Sequence, residues 1–454
     1  MSAIEQTLNY KQHSTLIETE GQNTLQLCST KNQNKNTAFF KGDLNSPMQA
    51  ARCLRAISIL VGARYFTPPA MLARILRESD PVVTVSRKML RFEGFSACCS
   101  TYGRLDVLPN GFEASKIVPG TTNVDFQAEM RGILAKVRND SSMSMSVRPD
   151  EFELVHDEAT VIEKKVKLPL RWIKGFSEVQ SSQNSMALAF KISRNEALRF
   201  FRQLPKGSTK HPAWIVAAGN GIRLSHREVA CCVRIKGCER LAVLAEIVQY
   251  SNELSIYVDT QNTTSAWVLS FGDLRFTLVL SEETWRGFSG EGQLLKDIAS
   301  SKSEQVLNKV KAALNWQESI SVQELSLELK ENESSIKVAL NLLASRGLVG
   351  FDVYTNSYFH RVLPFDLSKI EDLNPRIKSA KRLISEGAVT VIENCPDSKK
   401  EYVFRGEVES SGVIHRVELS SSGDDKCTCP WFAKHQSDRG PCKHILALSI
   451  SVDE

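Results

Sequence analysis

Residues 426–448 read KCTCPWFAKHQSDRGPCKHILAL, and they place three cysteines and a histidine, Cys427, Cys429, Cys442 and His444, within 18 positions. A pair of thiolates one residue apart can grip a metal from a single turn. Cys442 and His444 form a second such pair twelve residues later, at the start of an apolar helical run. A Cys3His set of this kind suits tetrahedral Zn2+ at a closed structural site. Ordinary buried or exposed cysteines are the bland alternative, but two spaced pairs are hard to obtain by accident. His435 lies between the pairs and competes as a ligand; the position of His444 beside Cys442 favours His444. Four protein ligands leave no coordination position for water, so the cluster is expected to hold a shape, not to catalyse.

The rest of the chain sets the context. Its 454 residues allow about three domains. Hydrophobic content of 42% and charged content of 24% are those of an ordinary globular protein. No apolar run approaches the ~18 residues that span a bilayer. The opening MSAIEQTLNYKQHS lacks the basic and apolar regions of a secretory signal. Eleven cysteines without such a signal fit free thiols in a reducing compartment, and a cytoplasmic location is expected.

Five segments follow from composition and periodicity, and the fold class is α+β and multidomain. Residues 1–37 are a polar leader expected to be disordered. Residues 38–140 form an amino-terminal α+β region: a helix opening at Ser46 and Pro47, another over PPAMLARILRES, then strands over VVTVSRKMLRFEGFSACCSTYGRLDVL to a turn at Pro109–Gly111, and a helix around 125–137. Residues 141–300 form a basic mixed region. Strand-like stretches run to about Val179, LPLRWI included, and Ser193 with Glu196 reads as a capping box. Residues 301–364 give three helices, the third closed by Gly347, and a hairpin turning at Thr355–Ser357. This is a winged-helix-like module whose third helix would be offered to a groove. Residues 365–454 carry a basic helix, three strands and the cysteine cluster.

Charge is unevenly spread. The net is +5, yet Val161–Arg240 holds 16 Lys/Arg against 5 Asp/Glu. Such a segment is the electrostatic footprint of a nucleic-acid or acidic-protein contact, or a solvated face. Lys164, Lys165, Lys167, Arg171, Arg199 and Arg202 are the candidate contacts. The winged-helix-like module argues the other way, with 6 Lys/Arg against 7 Asp/Glu and Glu331 and Glu333 at the start of its third helix. So does the last segment, where 8 Lys/Arg face 10 Asp/Glu between Pro396 and Glu454. Trp431 and Phe432 read as core more readily than as stacking platforms. Gly287-Phe-Ser-Gly-Glu-Gly lacks the last glycine of a nucleophile elbow, and Gly219-Asn-Gly221 lacks the third glycine of a dinucleotide fingerprint. Cys98-Cys99 and Cys231-Cys232 read as buried thiols in strand-like runs. No catalytic constellation emerges, and the chain is expected not to be an enzyme.

The pattern C-x-C-x12-C-x-H, preceded by a hairpin and followed by an Ala/Leu/Ile helix, resembles the SWIM-type zinc finger. RFEGFSACCSTYGRLDVLPNGFE, LPLRWIKGFSEVQ and WRGFSGEGQLL look like the long amino-terminal region of bacterial SWIM zinc finger proteins. The resemblance implies zinc on Cys427, Cys429, Cys442 and His444, and a module that contacts proteins or DNA. It also implies work beside MoxR-type AAA+ ATPases and von Willebrand A proteins. The expected function is therefore a zinc-binding, non-enzymatic adaptor. The runner-up is a DNA-binding protein docking through 161–240 with the winged helix and finger.

Overall fold

The computed structural model describes residues 15–19, 22–26, 38–66, 81–124, 126, 128–157, 159–165, 170–205, 207, 211–285, 287–288, 304–363, 375–394, 402–420, 424–436 and 440–453. The helix expected at 68–79 lies outside them. Within the leader expected to be disordered, β1 (Thr15–Thr19) and β2 (Gln22–Gln26) pair as an antiparallel hairpin.

Residues 38–288 form one body around two large sheets and a small three-stranded one. In chain order its elements are β3 (Phe40–Leu44), α1 (Pro47–Gly62), β4 (Val82–Val85), β5 (Leu90–Phe95), β6 (Thr101–Val107), β7 (Phe112–Ile117), β8 (Gly120–Asn123), α2 (Ala128–Lys136), β9 (Ser144–Val147), β10 (Glu151–His156), β11 (Ala159–Lys164), α3 (Leu170–Asn184), β12 (Ala187–Ser193), α4 (Arg194–Arg202), β13 (Ala213–Ala218), β14 (Gly221–Ser225), β15 (Val233–Ile235), β16 (Glu253–Val258), β17 (Ser265–Ser270) and β18 (Leu274–Leu280). A five-stranded sheet runs β11-β10-β9-β3-β7, an eight-stranded one runs β12-β16-β17-β18-β6-β5-β4-β8, and the small one runs β14-β13-β15. The expected boundary at residue 140 is therefore not a division of the body. β3 lies between β7 and β9, and β6 pairs with β18, so both large sheets draw strands from either side of it.

The eight-stranded sheet has two different faces, as the period-2 alternation of strands requires. One carries Leu90, Phe92, Leu105, Trp267, Leu269, Phe276 and Leu278 into the main hydrophobic core with α1. The other carries Arg91, Glu93, Phe95, Tyr102, Arg104, Asp106 and Arg275, all of them buried as well. Helix α3 covers part of this second face. It corrects the strand reading of LPLRWI: Trp172, Phe176 and Val179 stand at helical spacing and bury together against Phe95 and Tyr102. Two cap expectations change in detail. Ser193 is the N-cap of α4 but its side chain makes no capping hydrogen bond, and the Ser46 hydroxyl donates to Asp273 at 2.6 Å instead of capping α1.

Residues 304–363 form a smaller unit of three helices and a hairpin: α5 (Glu304–Ala313), α6 (Val322–Leu329), α7 (Glu333–Ser345), β19 (Val349–Asp352) and β20 (Ser357–His360). Local chemistry fixes the ends. Ser321 and Asn332 accept from the N–H groups of Glu324 and Ser335, and Gly347 closes α7 at φ +69°. Helix α7 is enclosed by α5 and α6 on one side and by α3 on another. Both hairpin strands are buried throughout, because the hairpin sits on the charged face of the eight-stranded sheet. Arg104 donates to the carbonyl of Phe351 at 2.8 Å, Arg91 to that of Glu318 at 2.9 Å, and the Arg91 guanidinium stacks 3.9 Å over Phe359.

The last unit contains α8 (Pro375–Ser385), an antiparallel sheet in the order β21 (Val389–Asn394), β22 (Phe404–Ser410), β23 (Val413–Leu419) and β24 (Lys426–Cys427), then α9 (Pro430–His435) and α10 (Lys443–Asp453). Ile377, Ala380 and Leu383 of α8 meet Leu446 and Leu448 of α10 and Val408 and Val417 of the sheet in a separate core. Among the described residues no helix is long and apolar enough to cross a membrane.

Candidate metal centre

Three elements aim the four donors at one point. Cys427 sits on β24, held by pairing with Val417. Cys429 is the N-cap of α9, where its sulfur accepts from the N–H of Phe432 at 3.3 Å and Pro430 fills the first helical position. Cys442 precedes α10 and accepts from the N–H of Ile445 at 3.5 Å. His444 stands in the first turn of α10. All four side chains are buried, and their donor atoms lie within 4.8 Å of one another.

The donor set fits zinc. His444 turns Nδ1 toward the sulfurs, 3.8 Å from Cys427 Sγ and 3.9 Å from Cys442 Sγ. Tetrahedral Zn2+ with Zn–S ~2.3 Å and Zn–N ~2.0 Å separates its ligands by about 3.5–3.8 Å. The sulfurs are also in electrostatic conflict. Hydrogen bonds shared with Cys429 and Cys442, with burial behind them, drive the Cys427 thiol far above its ordinary value, and those same contacts drive Cys429 far below. One divalent cation resolves the conflict by holding all three as thiolates. His435, the competing ligand, packs on Trp431 with ring centroids 5.1 Å apart and lies outside the donor set.

Residues 415–453 match the family model described as the SWIM zinc finger. Residues 415–453 are a SWIM zinc finger. Comparison with curated proteins gave no match. Among the solved structures that align with the chain are the following two. Proliferating cellular nuclear antigen from Entamoeba histolytica is 12% identical with a TM-score of 0.36, over 54% of this chain and 99% of that one. The PCNA2–PCNA3 complex from Sulfolobus tokodaii is 9% identical with a TM-score of 0.38, again over 54% of this chain and 99% of that one. Likeness at this level carries no argument about function.

The basic candidates do not gather as the finger's ligands do. Lys164 ends β11, and exposed Lys165 bridges to Val124, just past β8. Arg171 lies in the first turn of α3, and Lys167 lies outside the described residues. Arg199 and Arg202 are exposed on α4, which packs by β12 and β16. Because β8 and β12 are opposite edges of the eight-stranded sheet, the two groups stand about 34 Å apart along it at ~4.8 Å per strand. Other cations of the segment are already engaged: Arg234 with Glu282 at 3.1 Å, Lys191 with Glu253 at 3.0 Å, and buried Arg240 with the carbonyl of Ser100 at 2.8 Å. Among the described residues, the candidate cations fall into two separated groups, Lys164, Lys165 and Arg171 in one and Arg199 and Arg202 in the other.

Two features escaped the sequence. Cys98 and Cys99 form the turn between β5 and β6, not part of a strand, with Cys99 at φ +56°. Burial opposes ionisation of Cys98, yet hydrogen bonds with Ser100 and Ser96, at 3.2 and 3.5 Å, hold its thiol below the ordinary range. Gly219-Asn-Gly221, by contrast, is the hairpin turn between β13 and β14 that its composition suggests. The second feature is a cleft of about 510 Å³ beside the metal centre, assembled from residues as far apart as Arg376 and His444. No local spacing could have announced it.

Proposed function

We propose that this chain is a zinc-stabilised, non-enzymatic interaction protein, an adaptor whose SWIM finger presents a rigid surface to protein partners. The closure of the metal centre carries the reading. Three thiolates and His444 Nδ1 complete a buried tetrahedron, so a bound zinc keeps no position for substrate or activated water. Zinc then supplies a cross-link that joins β24, the start of α9 and the start of α10. Around it the N–H groups of Phe432 and Ile445 stabilise thiolate charge, and the α8–α10 core fixes the surface.

In the same reading residues 304–363 are a winged-helix-like unit used for packing. Its support is the enclosure of α7 and the burial of both hairpin strands, which leave no groove-reading element presented. The resemblance to SWIM proteins makes a MoxR-type AAA+ ATPase or a von Willebrand A protein the partner class to test first, in the cytoplasm. The DNA-binding alternative has against it the dispersal of the basic residues and the net negative charge of the finger.

The test is sedimentation velocity of the zinc-loaded full chain with purified proteins of those two classes. A complex that forms with wild type and is lost with Cys442→Ser supports the adaptor reading. A complex that persists without zinc places the interface elsewhere and removes the finger from it.

A further inference from the structure

Strand β23 sets Val413, His415, Val417 and Leu419 in one row, as the alternation of a strand requires. Val417 and Leu419 are buried in the finger's core, and Val408, which faces His415 across the ladder, is sealed from solvent. His415 is the polar member of that row. Its ring lies on the ring of His444, with centroids 4.3 Å apart and planes tilted by 35°. The backbone fixes where it stands. The N–H of Arg416 donates to the hydroxyl of Thr428 at 3.0 Å, and the carbonyl of Arg416 accepts from the N–H of Thr428 at 3.1 Å. Thr428 separates the ligands Cys427 and Cys429, so the strand that carries His415 is bonded directly to the turn that presents two of the sulfurs.

His444 does not have the usual support of a histidine ligand. With one ring nitrogen on a metal, the other ordinarily donates to a carboxylate or carbonyl, and that bond sets the orientation of the ring. His444 is 4% exposed and turns Nδ1 toward Cys427 and Cys442, while its Nε2 is buried with no hydrogen-bond partner. The torsion about the Cβ–Cγ bond of histidine is broad, so the backbone alone does not hold Nδ1 on the sulfurs. A second ring laid on the imidazole does, because turning either ring breaks the contact. Coordination also draws electrons from a ligating imidazole, and an electron-poor ring is attracted to the π face of its neighbour.

We propose that His415 is a positioning residue of the metal centre: its ring, stacked on His444, takes the part that a hydrogen bond to the second nitrogen plays elsewhere and keeps Nδ1 on the donor set. The role differs from ligation, since His415 is not among the four residues whose donor atoms lie within 4.8 Å of one another. The proposal rests on zinc being bound and is independent of which partner the finger meets. Both rings line the cleft beside the metal centre, so an aromatic side chain somewhat larger than imidazole has room at position 415.

The experiment measures zinc affinity of the full chain by competition with a chromogenic chelator, in wild type, His415→Ala, His415→Gln and His415→Phe. Losing the ring in Ala or Gln should weaken zinc about tenfold, the lower end of what removing a ligand's outer support costs. His415→Phe keeps a ring face without nitrogen and should stay within about threefold of wild type. Spectra with Co2+ in place of zinc supply a second readout. The thiolate-to-metal bands should be unchanged in all four proteins, while the ligand-field bands shift in Ala and Gln and return in Phe. If Ala holds no metal at all, retention by Phe still supports the stack. Equal affinity and equal spectra in Ala and wild type overturn the assignment. So does rescue by Gln where Phe fails, which would trace the effect to a nitrogen or a hydrogen bond. Loss of metal in Phe as well as Ala overturns it too, making His415 a ligand. If wild type itself takes up no zinc, the zinc reading of the finger fails and this one with it; if wild type binds zinc and only the variants behave alike, the stack falls alone.

Discussion

Arg361 donates a hydrogen bond to Glu93, 268 residues earlier in the chain, and both side chains are sealed from solvent. Tyr102 donates to the same carboxylate at 2.6 Å. Beside them Arg104 joins Asp106 and Asp352, at 3.0 and 2.7 Å, Arg275 reaches both of those carboxylates, and Arg91 holds Asp106 at 3.0 Å. Desolvating so many charges is costly, so the network is tolerated only while every partner is present.

Asp352 is the partner whose loss should be felt most. Burial alone would raise its pKa, yet Arg104 and Arg275 hold its carboxyl well below the usual carboxylate range. A depressed native pKa means the contribution is complete above the ordinary value of 3.8 and is lost as the pH falls below it. Asp352→Ala should cost about 3–5 kcal/mol at neutral pH, because it strands buried guanidinium groups. Urea denaturation of the two proteins measures this, and a loss below ~1 kcal/mol would show that the network contributes little.

His360 supplies a transition at higher pH. Burial lowers its pKa from 6.5 to about 4, and Nδ1 accepts a hydrogen bond from the backbone N–H of Trp316 at 2.7 Å. Protonation competes with that bond. Stability from the neutral ring is therefore full above pH 6.5 and declines as the pH falls toward 4. Melting temperatures recorded across that window should fall less steeply in His360→Asn than in wild type. Parallel curves would assign the acid sensitivity to other groups.

Zinc should be present at one per chain and should govern the last unit alone. Structural zinc in small modules carries ~10–16 kcal/mol of apparent binding energy, so its loss unfolds what it holds. Cys427→Ser or Cys442→Ser should abolish zinc and expose the amides of 402–453 to hydrogen exchange, while protection in 81–124 and 253–280 is kept, since the cores are separate. His435→Ala should retain the metal. Substoichiometric zinc in carefully purified wild type would falsify the assignment.

Nucleic acid gives a fourth test. With Lys165 and Arg199 at opposite edges of one sheet, about one helical turn of duplex apart, a short contact reaches only one of the two groups. Anisotropy titrations with labelled single- and double-stranded DNA should give weak binding, with a salt slope reflecting only one or two phosphates. Sub-micromolar affinity, abolished jointly by charge reversal at Lys164, Lys165 and Arg171, would revive the DNA reading.

What could be read from the sequence was what is local. The finger's ligands lie within 18 residues, and the helices of 304–345 announce themselves by their apolar spacing, the third also by Gly347 at its end. Long-range structure hid behind a misleading pattern. RFEGF and YGRLD alternate apolar with charged residues, as a strand with one wet face does, yet the charged face is dry because a hairpin some 250 residues later covers it. The cover could not be inferred from either stretch. LPLRWIKGFSEV looked extended at its apolar start, although Trp172, Phe176 and Val179 already carried the helical spacing that the sheet selects.

The same burial decides where this protein can be divided. A fragment that stops before residue 304 would turn Arg91, Arg104 and Arg275 toward water with their counter-charges and aromatic cover removed, and it should precipitate or melt early. A fragment from Pro375 onward keeps the core of α8, the sheet and α10 entire. The finger is thus a cassette that recombination can move between proteins, while residues 304–363 travel only with the body they seal.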